Sequence, residues 1–182
     1  MNEHLAPVFE IILPKIEKNN IDYWVYGGVS IAGFAHKFIR ENYDVDIFVK
    51  EYDFDKTHEN LKRLCKQNGF ELCIDWKNAR PRININIERK NRFSIIPVYL
   101  NSNSVLFKYK DGDQTYQLEI LNKIRRSISN YQFFTTEDRF IQEMFIKHIE
   151  ARPDKTKRTK IIKDAFVILN KEARERLRFP KQ

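Results

Sequence analysis

Two short fragments constrain this chain more than anything else in it. Trp24-Val25-Tyr26 leads into Gly27-Gly28-Val29-Ser30, and Asp44-Val45-Asp46-Ile47-Phe48-Val49 follows a short apolar stretch that ends near Arg40. The first reads as a buried strand entering a double-glycine turn, the second as a strand with two aspartates one residue apart. Side chains two apart on a strand share a face, so Asp44 and Asp46 present adjacent carboxylates. Hard oxygen ligands beside a turn with open backbone N–H groups suit Mg²⁺ and a triphosphate. In outline this is a phosphoryl- or nucleotidyl-transfer site.

The 182 residues suffice for one core with a helical appendage, and 42% hydrophobic with 32% charged residues is a globular composition. No apolar run approaches the ~20 residues of a membrane span, and Met1-Asn2-Glu3-His4 lacks the basic and apolar start of a signal peptide. Cys65 and Cys73 have no CxxC spacing. They read as reduced core or near-core thiols of a cytoplasmic protein. The net charge of +8 is concentrated: residues 147–181 hold twelve Lys/Arg against five acids, a net +7. Such a face attracts polyanions, whether nucleotide or RNA, and is equally the solvated surface of a lysine-rich helix.

Apolar spacing predicts a helix over 3–18 that Pro14 kinks or ends, a strand over 22–26, a short helix from Val29, and the aspartate strand over 43–50. A helix over 53–67 closes at Gly69, followed by a strand over 70–76. Arg82-Ile-Asn-Ile-Asn-Ile-Glu88 alternates as a half-buried strand, turning at 89–92 into a hairpin partner over 93–100. The 101–115 segment, with Asp111-Gly112-Asp113, reads as polar loop before a short strand near 116–121. Helical texture begins at Thr136, capped by Thr135 or Thr136, with a stripe of Phe140, Ile141, Met144, Phe145, His148 and Ile149 broken by Pro153. A second stripe runs from Ile161 to Leu169. The expected fold is α/β (α+β): a mixed twisted sheet with flanking helices over 1–132, and a basic helical segment over 133–182 packed on it.

Tyr23-Trp24, Gly27-Gly28, Arg40, Asp44-x-Asp46 and a hairpin ending in Pro97, with Trp76-x-x-x-Arg80 between, resemble the minimal nucleotidyltransferases of the DNA polymerase β superfamily. The likeness is to lincosamide nucleotidyltransferases and to abortive-infection toxin nucleotidyltransferases, and it spans about residues 20–100. The resemblance implies Mg²⁺ or Mn²⁺ held by Asp44 and Asp46, with an NTP as substrate. Gly27 and Gly28 would bring backbone amides to the triphosphate, with Ser30 adding a hydroxyl. Arg40 would steady a phosphate or the aspartate strand, and Lys147, Lys160 and Lys163 are candidate phosphate contacts. His36, His148, Trp24 and Trp76 read more simply as structural residues.

The family's third carboxylate, on the hairpin strand, is here Ser94, which neither takes a proton at neutral pH nor binds Mg²⁺ well. Glu88 on the facing strand or Asp75 on the preceding one are the possible replacements. A five-residue loop over 89–93 brings Glu88 opposite Ser94; a two- or four-residue loop brings Ile87 there instead. Three functions follow. The chain is a nucleotidyltransferase acting on a small hydroxyl compound or an RNA, a catalytically impaired nucleotide- or RNA-binding module, or a component completed by a protein partner.

Overall fold

The computed structural model describes residues 2–75, 80–109 and 112–180. Trp76 and Asp111 lie outside the described residues. Nine strands among those described form one mixed sheet, with β3 (Glu71–Asp75), β4 (Arg82–Ile87), β5 (Lys90–Asn101), β2 (Val45–Lys50), β1 (Tyr23–Tyr26), β9 (Tyr131–Thr135) and β8 (Ile124–Ile128) in that spatial order. β6 (Ser104–Tyr109) extends the sheet from the second half of β5, and β7 (Gly112–Gln117) pairs with β6. β2–β5 and β1–β9 are parallel; the remaining pairs are antiparallel. The α+β class expected from the sequence is the class observed.

Alternation sorts side chains to two faces. Tyr23, Val25, Val45, Ile47, Val49, Phe93, Ile95, Ile83 and Ile85 form one core beneath the sheet, covered by α1 (Leu13–Lys18), the π-turn before it and α3 (Glu51–Asn68). Pro14 does not end the N-terminal helix. The turn before it widens to a π-turn over Val8–Ile12, in which Leu13 N–H bonds the Val8 carbonyl, and Pro14 falls in the first turn of α1, where its missing N–H costs nothing. Gly69 closes α3 in the left-handed region, φ 69°, as expected.

The other face carries Trp24, Phe48, Ile96 and Val98, joined by Phe107, Tyr116 and Phe140. Phe48 is its centre, stacked on Trp24 at 5.2 Å and edge-on to Phe107 at 4.8 Å between centroids. The expected 101–115 loop is largely β6 and β7: Val105 and Phe107 alternate inward along β6. The strand expected at 116–121 gives way to a 3₁₀ turn over Leu118–Leu121. β8 and β9 were not foreseen.

The helical segment comprises α4 (Asp138–Ala151), α5 (Thr159–Ile168) and α6 (Lys171–Arg176). The expected 132/133 boundary falls inside β9, because Tyr131–Thr135 pairs with β8 and β1. The expected threonine cap is also displaced. Glu137 occupies the N-cap of α4 without a side-chain capping bond, and Thr135, fully buried, donates to the Thr136 carbonyl at 2.9 Å. The α4 stripe divides in use: Phe140, Ile141, Phe145 and Ile149 are buried, while Met144 and His148 are half-buried.

With its ring contacts on two sides, Phe48→Ala is expected to cost about 3–5 kcal/mol in urea unfolding. A loss under about 1 kcal/mol would mean that the upper core is not packed as described.

Candidate functional site

The sheet register builds the centre of the site. Tyr26 on β1 stands beside Asp46 on β2, Asp46 beside Ser94 on β5, and Ser94 beside Asn84 on β4. One row thus crosses four strands, with Asp44 two residues before Asp46, just ahead of β2 and lining the same cavity. Asp46 is half-buried, and desolvation, with Asp44 beside it, pushes its carboxyl up to about 7. Arg82, at the start of β4, adds a positive field that opposes this rise.

Gly27 turns the chain above this row at φ 70°, ψ −147°, backbone few other residues adopt. A Cβ on it would sit 3.4 Å from Asp46 Oδ2. The second glycine answers a different demand. A Cβ on Gly28 would collide with Arg40 Nη2 and Asn42 Oδ1, so a glycine is required where the loop over 40–42 crosses the start of α2 (Gly28–Phe34). Ser30 is buried, and its hydroxyl donates back to the Gly27 carbonyl at 2.8 Å.

The loop is itself clamped. Asn2 Oδ1 accepts from the Asn42 N–H at 2.6 Å, His4 Nε2 lies 2.7 Å from the Asn42 carbonyl, and Arg92 donates to the Tyr43 carbonyl at 3.0 Å. Arg40 Nε and Nη2 each donate to a different oxygen of Asp164 on α5 at 2.8 Å, and Nη1 donates to the Glu41 carbonyl at 2.9 Å. Three of the guanidinium's five donors are thereby used. The Arg40 and Asp164 side chains are 11% and 2% exposed. Arg40 therefore steadies the loop before the aspartate strand and ties it to the helical segment.

Between this loop, the sheet and α4–α5 lies a cavity of about 680 Å³. Gly27, Gly28, Ser30, Arg40, Asp44 and Asp46 all line it, so six expected residues from two sequence fragments meet at one place. Three buried polar atoms on its wall, Tyr26 Oη, Asn42 Oδ1 and Thr136 Oγ1, have no partner at hydrogen-bond geometry among the described residues. Buried polar groups are rarely left so, and a polar ligand would satisfy them.

Other expected residues go elsewhere. Lys147 bonds the Thr115 carbonyl at 2.9 Å, pairs with Glu143 at 2.7 Å and lies over the Tyr116 ring, away from the cavity. Lys163 is exposed on α5 and does not line the cavity, whereas Lys160 does. Glu88 is not brought to the aspartates. It forms, with Arg89, a two-residue turn at φ 52° and 62°, shorter than the expected 89–92 turn, and it is exposed. A register shift between Ile85 and Asn86 then sets Asn84, not Glu88 or Ile87, opposite Ser94. Ser94 is fully buried, donating to Asn84 Oδ1 and accepting from Asn91 Nδ2, both at 3.0 Å. Asp75, the other candidate, does line the cavity.

Sequence reasoning missed Arg82, Asn84, Lys155 and Asp164. The 82–88 alternation placed Arg82 and Asn84 on one face without saying which face carried the aspartates. Of the two cysteines, Cys65 is buried as expected and Cys73 is exposed at the sheet edge.

Residues 8–130, 123 of the 182, match the family model of the aminoglycoside-2''-adenylyltransferases, and the chain belongs to that family of nucleotidyltransferases. The matched span contains the glycine turn, both aspartates and the β4–β5 hairpin, and stops short of α4–α6. Among solved structures, the antibiotic-resistance factor ANT(2'')-Ia is similar with a TM-score of 0.65 at 14% identity over 98% of this chain and 91% of that one. A crystal structure of ANT(2'')-Ia in complex with adenylyl-2''-tobramycin is similar at TM-score 0.62 and 12% identity, covering 96% and 94%. The lincosamide antibiotic adenylyltransferase LnuA, lincomycin-bound, follows at TM-score 0.59 and 19% identity, covering 87% and 94%. No curated protein sequence matches the chain. These likenesses establish a polymerase β-like nucleotidyltransferase fold.

Because Arg40 and Asp164 are buried together, removing one strands the other's charge. Asp164→Ala is expected to lower the unfolding free energy by about 3–5 kcal/mol, and Arg40→Met with Asp164→Leu by clearly less. Equal losses in urea titrations of the two proteins would show that the pair's charges are not what holds α5 in place.

Proposed function

We propose that the protein transfers a nucleoside monophosphate from an NTP to a hydroxyl of a small molecule, with a divalent metal, Mg²⁺ or Mn²⁺, at Asp44 and Asp46. The observation that carries this is the convergence of Gly27, Asp44 and Asp46 on one cavity in a chain of this family. Two carboxylate ligands suit one hard cation whose remaining positions go to phosphate and water oxygens. The raised pKa of Asp46 supports the fit: burial and the neighbouring Asp44 disfavour its charged form, which a divalent cation would favour. Among the described residues no cluster of three or more His, Cys, Asp or Glu could hold a metal alone. When bound, the cation offsets charge that builds on the transferring phosphoryl group.

Each side chain then has a task. Gly27 leaves room above Asp46 for phosphate oxygens, and Ser30 sits in the same turn. Lys160, alone of the three lysines expected to contact phosphate, lines the cavity and acts on Asp46, and it takes that role. The acceptor hydroxyl oxygen bonds to the α-phosphorus while the bond to the bridging oxygen breaks, and pyrophosphate leaves with that electron pair. The hydroxyl proton passes to water or to Asp75, the carboxylate on the wall outside the aspartate row that is not bound to Arg40. Two unpaired thiols suit a reducing compartment such as the cytoplasm. No helix among the described residues is long and apolar enough to cross a membrane.

Ser94 favours a second reading. Its buried, fully bonded hydroxyl stands where the resembled family carries a carboxylate, and lack of a general base costs roughly 10²–10⁴ in rate. The protein would then bind Mg²⁺·NTP and transfer slowly or not at all.

Pyrophosphate release from four labelled NTPs, with Mg²⁺ and a panel of hydroxyl acceptors, tests the transfer. Asp44→Asn with Asp46→Asn should abolish metal-dependent nucleotide binding in calorimetry while the circular dichroism spectrum is kept. Normal Mg²⁺·ATP binding by that variant would refute the site. Ser94→Asp should raise transfer by roughly 10²-fold; unchanged transfer would remove Ser94 as the cause of a slow rate.

A further inference from the structure

The walls of the cavity carry unbalanced charge. Among the described residues that line it, eight are Lys or Arg and four are Asp, a formal +4. Asp164 is held by Arg40, and Asp44 and Asp46 are the proposed metal ligands. A triphosphate carrying one divalent cation brings about two net negative charges. The wall therefore stays positive, at about +2, after the nucleotide is in place.

The cations stand on two sides of the aspartate strand. Lys155, Arg158 and Lys160 come from the helical segment, whose α5 packs on α2 beside β1. Arg80 and Lys108 come from the far side, before β4 and on β6, with β5 between them and β2. On the helical side the positive charge is matched only in part, by the exposed Asp154 at 3.6 Å from Arg158. The ammonium of Lys155 lies 2.9 Å from His148 Nε2, a ring that burial and the neighbouring cations keep neutral, where an acid would be the ordinary partner. Burial and repulsion from Arg152, Arg158 and Lys160 push Lys155 down to about 8. On the sheet side Lys108 rests over the Tyr99 ring at 4.0 Å, and Arg80 reaches Asp113 at 3.4 Å.

In phosphoryl-type transfer the attacking and leaving oxygens lie roughly in line. Pyrophosphate on one side of the aspartates therefore places the acceptor on the other, and either side presents cations. A polycationic acceptor would meet like charge there. We propose that the acceptor is a small hydroxyl compound that itself bears a phosphate group. This rests on the nucleotidyl-transfer reading above and names its substrate class. The cavity volume is that of a site for one drug-sized ligand or for a nucleotide beside a compact acceptor, which favours a small molecule over an RNA.

The test loads the full chain with Mg²⁺ and a non-hydrolysable α,β-methylene ATP analogue, whose binding is measured first by calorimetry. Failure of the analogue to bind defeats the nucleotidyl-transfer reading before any acceptor is added. Inorganic phosphate, tobramycin and a short RNA are then titrated separately at constant ionic strength, followed by amide chemical shifts. The expected result is saturable phosphate binding to the loaded protein, with tobramycin binding at least tenfold weaker. Two variants, Arg80→Gln with Lys108→Gln and Lys155→Gln with Arg158→Gln, divide the sides. One should weaken phosphate at least tenfold while binding the analogue within twofold of the parent protein. No saturable phosphate binding, tighter tobramycin binding, or phosphate binding untouched by both variants overturns the proposal. RNA binding a hundredfold tighter than phosphate overturns it in favour of a macromolecular acceptor.

Discussion

The bidentate pair between Arg40 and Asp164 is the contact on which the site's shape depends. It joins residues 124 positions apart and is buried on both sides. Through it the loop before the aspartate strand, the glycine turn and α5 become one rigid frame. Gly28 is glycine because Arg40 and Asn42 cross directly over it. The cavity exists because α4 and α5 are held at that distance from the sheet instead of packing flush against it. Burial outweighs Arg40 and leaves the Asp164 carboxyl above the usual carboxylate range. The frame is therefore bought with desolvation, and its worth lies in geometry more than in net stability.

The same tension recurs at the aspartates. Asp46 is placed where burial, and Asp44 beside it, make its ionisation harder, with Arg82 and Lys160 opposing that effect in part. A fold that only needed stability would put an apolar or neutral polar side chain in this row, as it does at Ser94 and Asn84, which hydrogen-bond to each other. One row of four strands thus holds a settled half and an unsettled half. The unsettled half faces the cavity, beside the Tyr26 hydroxyl and Arg82.

What the sequence made legible follows from the range of the interactions involved. The glycine turn, the paired aspartates and the cap at Gly69 are local devices, set by φ and by a period of two, and all three stand where the spacing put them. The Glu88 position was not legible, because it hinges on a register shift at Ile85/Asn86 that no alternation reveals. Lys147 and Lys160 look alike in the chain. Only the packing of α4 against β7 and of α5 against α2 separates a surface lysine from a cavity lysine. β6 was hidden because its inward residues, Val105 and Phe107, are few and flanked by polar ones. Asp164 lay inside a basic stretch and read as one acid among many lysines, although it is the partner that closes the site.

Charge placement also separates fold from substrate. The family match ends at residue 130, and Lys155, Arg158 and Lys160 all lie beyond it. The part of the chain inside the family match supplies the glycine turn and the aspartates. The part outside the match supplies the cations that form one wall of the cavity. A change of acceptor class can therefore arise in the helical segment without disturbing the sheet, provided Asp164 stays to hold that segment in place. The one acidic position in α5 that faces the loop is then kept by the frame, while the neighbouring basic positions remain free to follow the substrate.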